Sequence, residues 1–195
     1  MENEKMEPVQ SLRLIESMIK TAQNRLWDNG HLYLLWGWVV LFCSVGHFVL
    51  IYLNLFERAE WIWMLTWVAL LYQTIYLVRQ KKKIRVDTYT DDILKAIWMV
   101  FVGCGILLGF VVGRLGNWDT MYPLILMLYG IPTILSGTVL RFKPLVWGGI
   151  VCWILCIGSV FIPLLYNLLM VSLAVIAAWI IPGYLMRQKF AKQNQ

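Results

Sequence analysis

Residues 76–83 read YLVRQKKK, and they end a long apolar segment with a cluster of positive charge. Nearly the same string, YLMRQK at residues 184–189, ends the last apolar segment, with five of six letters identical. A shorter version, Arg141-Phe142-Lys143, ends an apolar segment between them. Basic residues at the ends of apolar segments are typical of membrane proteins, because they stay on the cytoplasmic side during insertion. The three basic ends therefore predict a chain that enters and leaves a membrane from one side three times.

The composition agrees with a membrane protein and excludes an ordinary soluble domain. The chain has 195 residues, of which 60% are hydrophobic and 14% are charged. Soluble domains carry about 25% charged residues. The net charge of +6 lies mainly at the ends of apolar segments, where anionic lipid headgroups and membrane topology explain it. We therefore expect the lipid bilayer, and not nucleic acid, as the partner of this charge.

Six apolar segments are long enough to cross a hydrocarbon core of about 30 Å as helices that rise about 1.5 Å per residue. The predicted fold is an all-α bundle of six transmembrane helices in one membrane domain, residues 31–187, followed by a cytoplasmic tail, residues 188–195. The predicted spans are 32–53, 59–78, 93–113, 120–140, 144–162 and 164–186.

The N-terminal segment, residues 1–30, is predicted to stay in the cytoplasm. Its apolar residues recur every three or four positions and predict an amphipathic helix that stops at Asp28-Asn29-Gly30. This helix is too short and too charged to cross the membrane, so it either lies in the inner headgroup layer or docks on a partner helix. With no apolar core before residue 30, the first span is expected to act as the insertion signal. The apolar stripe consists of Leu12, Ile15, Ile19, Ala22 and Leu26.

The charge distribution predicts the orientation. All but two of the 17 Lys and Arg residues fall on the side that holds both termini; Arg58 and Arg114 fall on the other. The positive-inside rule therefore places both termini in the cytoplasm and the protein in a cytoplasmic membrane.

The spacing of Trp and Arg is consistent with one hairpin used three times. Trp36 to Arg79 is 43 residues, Trp98 to Arg141 is 43, and Trp147 to Arg187 is 40. Copies of such a unit would be related by an axis along the membrane normal. Bilayer thickness and the preference of Trp and Arg for interfaces give the same spacing without duplication, so both interpretations stay open.

Five residues could form a site for a soft metal ion. Cys43, Cys104 and Cys156 lie at similar depth in spans one, three and five, with His47 one turn from Cys43 and Cys152 one turn from Cys156. Thiolate and imidazole are ligands for Cu(I) or Zn²⁺. The alternative is that each cysteine packs as a small hydrophobic residue and that the histidine bonds to a neighbour.

Two further features concern packing and a cavity. Gly105, Gly109 and Gly113 form a small-residue stripe on span three, which favours a close helix contact within the chain, although a second copy could provide the neighbour. Pro132 interrupts span four, as in helices that line transport sites, although plain kinks look the same. The predicted cavity-lining residues are Gln73, Thr74, Pro132, Ser136, Thr138 and Asn167.

The centres of the spans contain no Asp, Glu, Lys or Arg. Proton-coupled pumps need an ionisable relay there, so a pump is disfavoured, whereas a facilitator for a neutral solute is not. The chain also lacks a catalytic constellation and a nucleotide-binding glycine loop, so we expect no enzyme activity and no cofactor.

The loop after span two is the most charged part of the chain. Its basic residues could bind anionic lipid headgroups, at about 1 kcal/mol per charge, or dock a cytoplasmic protein. The residues concerned are Arg79, Lys81, Lys82, Lys83 and Arg85.

Several short strings resemble a family of small uncharacterised bacterial inner-membrane proteins. They are YLLWGW at 33–38, SG at 136–137, RFKPL at 141–145, GG at 148–149 and IIPGY at 180–184. The resemblance implies a bacterial inner membrane and no assigned activity. The function that we predict is a non-catalytic interaction or regulatory membrane subunit, alone or as a homo-oligomer. A passive transporter or channel for a small neutral solute is the alternative, and a soft-metal-binding protein is the third.

Overall fold

A computed structural model describes residues 8–83, 89–116 and 118–193, and every regular element in those ranges is a helix. The predicted all-α class is therefore confirmed. The elements in chain order are α1 (Pro8–Tyr52), a 3₁₀ helix (Ala59–Met64), α2 (Leu65–Lys83), α3 (Tyr89–Leu115), a 3₁₀ turn (Trp118–Thr120), α4 (Met121–Val139), α5 (Lys143–Ser159), α6 (Leu164–Val175), a π-helical segment (Ile176–Ile180) and α7 (Ile181–Gln193).

Five helical stretches are long and apolar enough to cross a membrane, which indicates a multi-pass membrane protein. Their ends lie within four residues of the corresponding predicted spans. The remaining predicted span, the fifth (144–162), corresponds to α5, which is apolar but has only 17 residues. The five stretches are Gly30–Tyr52, Ala59–Arg79, Tyr89–Leu115, Trp118–Val139 and Leu164–Lys189.

The predicted helix stop at Asp28-Asn29-Gly30 is wrong, because α1 runs unbroken from Pro8 to Tyr52. Gly30 lies within the helix, at a close contact with α7. A Cβ at Gly30 would lie 3.4 Å from the Met186 Cβ atom and 3.7 Å from the Gly183 carbonyl oxygen. The predicted apolar stripe of residues 12–26 lies outside the side chains that the structure describes.

Four glycines let the central helices approach each other closely. In lipid, apolar surface alone does not drive helices together, so close backbone packing carries much of their association. A Cβ at Gly137 on α4 would lie 2.8 Å from the Val146 backbone nitrogen of α5. A Cβ at Gly148 would lie 2.6 Å from the Ala177 carbonyl oxygen, and one at Gly37 would lie 2.7 Å from the Ile180 side chain. Gly149 packs on α4 in the same way.

The π-helical segment Ile176–Ile180 lies at the centre of this packing, since Gly37 of α1 and Gly148 of α5 both contact it. Pro182 follows the segment and is buried. In a regular α-helix the proline ring would clash with the carbonyl group four residues earlier, and a wider π turn relieves such a clash. The helix therefore continues through Pro182 into α7.

The basic ends of the chain lie at one end of the bundle. Lys189 of α7 stands over the Phe142 ring, 5.9 Å from its centroid, in the link between α4 and α5. Arg141 ends α4 with a left-handed backbone (φ 50°), and the Phe142 N–H then bonds to the Gly137 carbonyl oxygen at 2.8 Å. This 6→1 bond is typical of a helix C-terminus and makes the link to α5 short.

The helices α2 and α3 lie at the edge of the bundle. Only 6% of the residues in the apolar stretch of each are buried, compared with 39% for Trp118–Val139 and 50% for Leu164–Lys189. The helix α2 contacts α1, and α3 contacts α4. The bundle therefore has a core of α1, α4, α5 and the α6–α7 helix, with one peripheral helix beside α1 and another beside α4.

Candidate functional site

A buried hydrogen-bonded pair joins α4 to the π-helical segment. The Trp179 indole N–H donates to the Thr133 hydroxyl oxygen at 3.0 Å, and that hydroxyl donates to the Tyr129 carbonyl oxygen at 2.7 Å. Thr133 is fully buried, and Trp179 is only 2% exposed. Because Trp can only donate, Thr133 supplies the acceptor that the buried indole requires. The bond therefore fixes the position of the Trp179 ring in the core.

Aromatic rings from four helical elements surround this pair. The Tyr129 ring centroid lies 4.7 Å from that of Trp179, and Trp98 of α3 lies 6.1 Å from Trp179. Tyr33 of α1 lies 5.6 Å from Trp98, and Phe101 lies 5.9 Å from Tyr129. Such aromatic contacts contribute about 0.5–1.5 kcal/mol each beyond their buried area. The cluster holds α1, α3, α4 and the π-helical segment together.

Two buried polar atoms beside the core have no direct hydrogen-bond partner among the described residues. They are the Ser136 Oγ, one turn beyond Pro132 on α4, and the Asn167 Oδ1 on α6. Elsewhere the buried hydroxyl groups of Ser44 and Ser172 are paired at 2.7 Å. The Tyr33 hydroxyl lies close enough to Ser136 to interact with it, so Asn167 Oδ1 is the atom at which a small polar molecule would gain a missing partner.

The predicted cavity-lining residues do not share one surface. Gln73 accepts a hydrogen bond from the Trp36 indole, while Thr74 and Thr138 are exposed and donate to carbonyl oxygens of their own helices. Pro132, Ser136 and Asn167 are buried. Only the buried three remain candidates for lining a central site.

The predicted metal ligands lie on three helices and have different surroundings. Among the residues that the structure describes, no three His, Cys, Asp or Glu side chains come close enough to hold a metal ion. Cys43 donates to the Ile62 carbonyl oxygen at 3.4 Å, and His47 accepts from the Trp63 indole at 3.0 Å. Cys104 is exposed; Cys152 is buried and Cys156 half-buried. The buried positions of Cys43 and Cys152 agree with the alternative in which a cysteine packs as a small residue.

The glycine stripe of α3 faces outward along most of its length, contrary to the predicted contact within the chain. A Cβ at Gly105 would lie 4.0 Å from the Leu128 side chain of α4, but one at Gly109 or Gly113 would meet nothing within 4 Å. Residues four apart on a straight helix are rotated by about 40°, so the stripe turns away from α4 as it proceeds. Leu94 and Val112 are the buried residues of α3. They lie on the Gly105 edge of the stripe, away from Gly113.

Two histidines of α1 contact the 3₁₀ helix and α2. His31 Nε2 lies 3.2 Å from the Tyr72 hydroxyl, and His47 Nδ1 lies 3.0 Å from the Trp63 Nε1 atom. On its other ring nitrogen, His31 contacts the Arg187 guanidinium of α7 at 2.9 Å. Of the predicted lipid-binding residues, Arg79 is exposed, while Lys81, Lys82 and Lys83 complete α2 and Arg85 lies outside the described residues.

A hollow of about 510 Å³ lies at the opposite end of the bundle, between α1 and the first 3₁₀ helix. It is lined by the exposed side chains of Leu55, Phe56, Glu57, Arg58 and Trp61. The hollow is remote from the buried aromatic cluster, because the residues that line it follow the C-terminal end of α1.

Sequence reasoning missed Trp179 and the role of His31. Neither residue was predicted to have a role in the bundle, because an aromatic or polar residue near a span end is normally assigned to the lipid interface. The available signal was the pairing of two proline-interrupted spans, with Thr133 beside Pro132 on one and Trp179 before Pro182 on the other.

Comparisons with known proteins give no relative for this arrangement: no family model, curated protein or solved structure matches the chain.

Proposed function

We propose that the protein crosses a bacterial inner membrane six times, with α5 as the short fifth pass and both termini in the cytoplasm. Two observations support this. A link of only a few residues joins α4 to α5, and the two helices pack along Gly137 and Gly149, so a crossing by α4 is followed by a return along α5. Lys189 and Phe142 meet at the end of the bundle where the basic segments lie, as the positive-inside rule requires. Triplication of one hairpin and membership of the bacterial family stay predictions.

Within this topology, the proposed function is that of a non-catalytic membrane subunit that associates with another protein inside the bilayer. The observation that carries it is the outward face of α3. The core helices are packed around glycines, whereas α3 leaves Gly109 and Gly113 open to the bilayer. Glycines on a lipid-facing helix surface allow a second helix to approach closely.

The partner that best fits this face is a second copy of the chain. Arg114 follows Gly113 at the outer end of α3, and Asp119 lies in the next turn. Both side chains are exposed, and neither makes an ion pair within the described part of the chain. In a two-fold dimer each patch meets its own copy, so Arg114 of one protomer would face Asp119 of the other, and the reverse. This charge complementarity favours self-association.

Disulfide cross-linking in native membranes tests the proposal. Ile106 is exposed on the glycine face of α3, and Cys104 is exposed two residues earlier, which is rotated by about 160° around the helix. The Cys104→Ser/Ile106→Cys variant should form a dimer when oxidised with copper phenanthroline. The unaltered chain, whose Cys104 points elsewhere, should remain monomeric on the gel.

Equal cross-linking at both positions, or none at Ile106→Cys, would exclude a dimer through this face. A cross-linked band heavier than one chain but lighter than two would instead identify a different protein as the occupant. A cytoplasmic partner or anionic lipid bound by the basic residues of the 79–92 loop remains part of the proposal and is compatible with a dimer in the bilayer.

The second candidate function is a passive route for a small neutral polar solute. The unpaired Asn167 Oδ1 in the interior favours it, since such a solute would supply its missing partner, and Ser136 lies buried beside the Tyr33 hydroxyl. In proteoliposomes, the unaltered chain should speed the entry of water, glycerol or urea, and Ser136→Val should slow it. Permeation no faster than in empty liposomes would remove this candidate.

A further inference from the structure

Three exposed basic side chains, Arg141, Lys143 and Lys189, lie at the link between α4 and α5 and form what we call the basic cluster. Arg141 and Lys143 flank Phe142 in the sequence, and Lys189 of α7 stands over the Phe142 ring, 5.9 Å from its centroid. None of the three makes an ion pair within the described part of the chain. The cluster therefore holds three positive charges that no described carboxylate neutralises.

The backbone that carries the cluster is packed against the bundle. Phe142 contacts the hydrophobic core, and Leu145, two residues beyond Lys143, is fully buried. The Phe142 N–H also bonds to the Gly137 carbonyl oxygen at 2.8 Å. A ligand bound here would therefore not have to order a free loop, which is one of the main costs of binding.

Arg141 occupies a backbone conformation that normally selects glycine. Its φ is 50°, and it directly follows Leu140, the last residue of α4 before the link. Glycine is the usual residue at this position after a helix, because it adopts a left-handed backbone without steric cost. An arginine here makes the turn less favourable, which points to a role for its side chain outside the turn.

Exposed apolar residues continue from both lysines along their helices. On α5, Trp147 lies one turn from Lys143, and Ile154 lies two turns further on the same face, with 66% and 61% of these side chains exposed. On α7, Leu185 lies one turn before Lys189 and is also exposed. Each lysine thus stands at the end of an apolar helix face.

We propose that the basic cluster binds one anionic phospholipid of the cytoplasmic leaflet, with its acyl chains along the exposed faces of α5 and α7. A phosphate group accepts paired hydrogen bonds from an arginine, and lysines add point charges. Basic pockets between transmembrane helices on the cytoplasmic side suit such headgroups, and a tryptophan in the position of Trp147 suits the interface below them. The site rests on the proposed topology, which places this end of the bundle in the cytoplasm, and it is separate from the basic loop that follows α2.

Native mass spectrometry of the purified chain in detergent measures lipid binding directly. The chain is titrated with dioleoyl phosphatidylglycerol or with dioleoyl phosphatidylcholine, which has the same acyl chains and no net charge. Phosphatidylglycerol should bind roughly 10–100-fold more tightly, because several cations act on its phosphate. Lipids are counted separately on the monomer and dimer peaks, and detergent exposes both ends of the bundle. A missing lipid site is therefore distinguished from a missing dimer or an inverted topology.

Substitution of the two lysines tests the location of the site. Each lost charge should weaken phosphatidylglycerol binding about fivefold, the equivalent of about 1 kcal/mol, so Lys143→Gln/Lys189→Gln should weaken it about 25-fold. Binding of phosphatidylcholine should stay unchanged, which also shows that the variant is folded. Lys143→Arg/Lys189→Arg should keep the parent affinity. Arg58→Gln removes one exposed charge at the opposite end of the bundle and should have no effect.

Arg141→Gly separates lipid binding from the structure of the turn. Glycine fits the left-handed backbone better than arginine, so the unfolding midpoint in sodium dodecyl sulfate should stay the same or rise. Phosphatidylglycerol affinity should nevertheless fall about fivefold. Equal affinity of the parent chain for the two lipids, an equal loss in Arg58→Gln and the lysine variants, or full affinity in Arg141→Gly would each overturn the proposal.

Discussion

The glycines of α5 and those of α3 look alike in sequence but have opposite surroundings. Gly148 of α5 is pressed against the backbone of the π-helical segment, whereas Gly109 and Gly113 of α3 face open space. Both helices are apolar, so the difference lies in which side of each helix meets the rest of the chain. A small residue in a membrane span therefore indicates a close helix contact only once its neighbour is known.

The largest effect is expected at the glycine contact between α5 and the π-helical segment. In Gly148→Ala, the new Cβ would lie 2.6 Å from both the Ala177 carbonyl oxygen and the Ala178 Cα, which are backbone atoms that cannot rotate away. We expect the free energy of unfolding to fall by about 1–3 kcal/mol or more. Unfolding by sodium dodecyl sulfate, followed by circular dichroism, measures the change.

Gly158→Ala is the matched control on the same helix, because a Cβ there would meet nothing within 4 Å. Its unfolding curve should overlap that of the parent protein or move slightly to higher denaturant, since alanine favours helix. Equal destabilisation by Gly148→Ala and Gly158→Ala would contradict the claim that the surroundings of a glycine determine the cost of its substitution.

A somewhat smaller effect is expected at the bond between α4 and the π-helical segment. Thr133→Val keeps the side-chain shape but removes the acceptor for the Trp179 indole, leaving a buried N–H group without a partner. The expected loss is about 1–3 kcal/mol in the same unfolding assay. Thr138→Val on the same helix removes only an exposed bond to the Ile134 carbonyl oxygen, so its stability should barely change. A similar loss in both variants would contradict the role of Thr133.

The smallest of these effects is expected between α1 and α2. Trp36→Phe removes the indole that donates to Gln73 and should weaken the attachment of α2 by about 0.5–1.5 kcal/mol. Hydrogen exchange should therefore rise in α2 and remain unchanged in α4 and α5. Trp38→Phe alters an exposed ring two residues away and should leave exchange in both regions unchanged. Faster exchange across the whole bundle in Trp36→Phe would mean that α2 belongs to the core.

The positions of the helices could be predicted from the sequence, because the length of an apolar segment is set by the thickness of the bilayer. The predicted span 164–186 and the observed stretch Leu164–Lys189 begin at the same residue. The count of six passes depends on the short helix α5 and stays a prediction. The helix stop at Gly30 was mispredicted because glycine has two uses in helices, and here it serves a contact with α7.

The surroundings of each side chain could not be predicted in the same way. In a soluble protein, polarity separates the surface from the core, but in a bilayer both faces of a helix are apolar. Trp147 and Trp179 are both tryptophans of apolar spans, yet one is exposed and the other is buried. What distinguishes them is the Thr133 acceptor on another helix, 46 residues away from Trp179, and no local pattern contains that information.

Subunit counting in lipid vesicles tests most directly whether the open face of α3 is covered by a second copy. Fluorescently tagged protein is reconstituted at high dilution, and bleaching steps are counted in single vesicles. The unaltered chain should bleach mainly in two steps. Gly113→Leu, which fills the open face without touching the chain's own core, should bleach in one step while its unfolding curve stays unchanged. Single-step bleaching of the unaltered chain, or two steps in both proteins, would contradict the account.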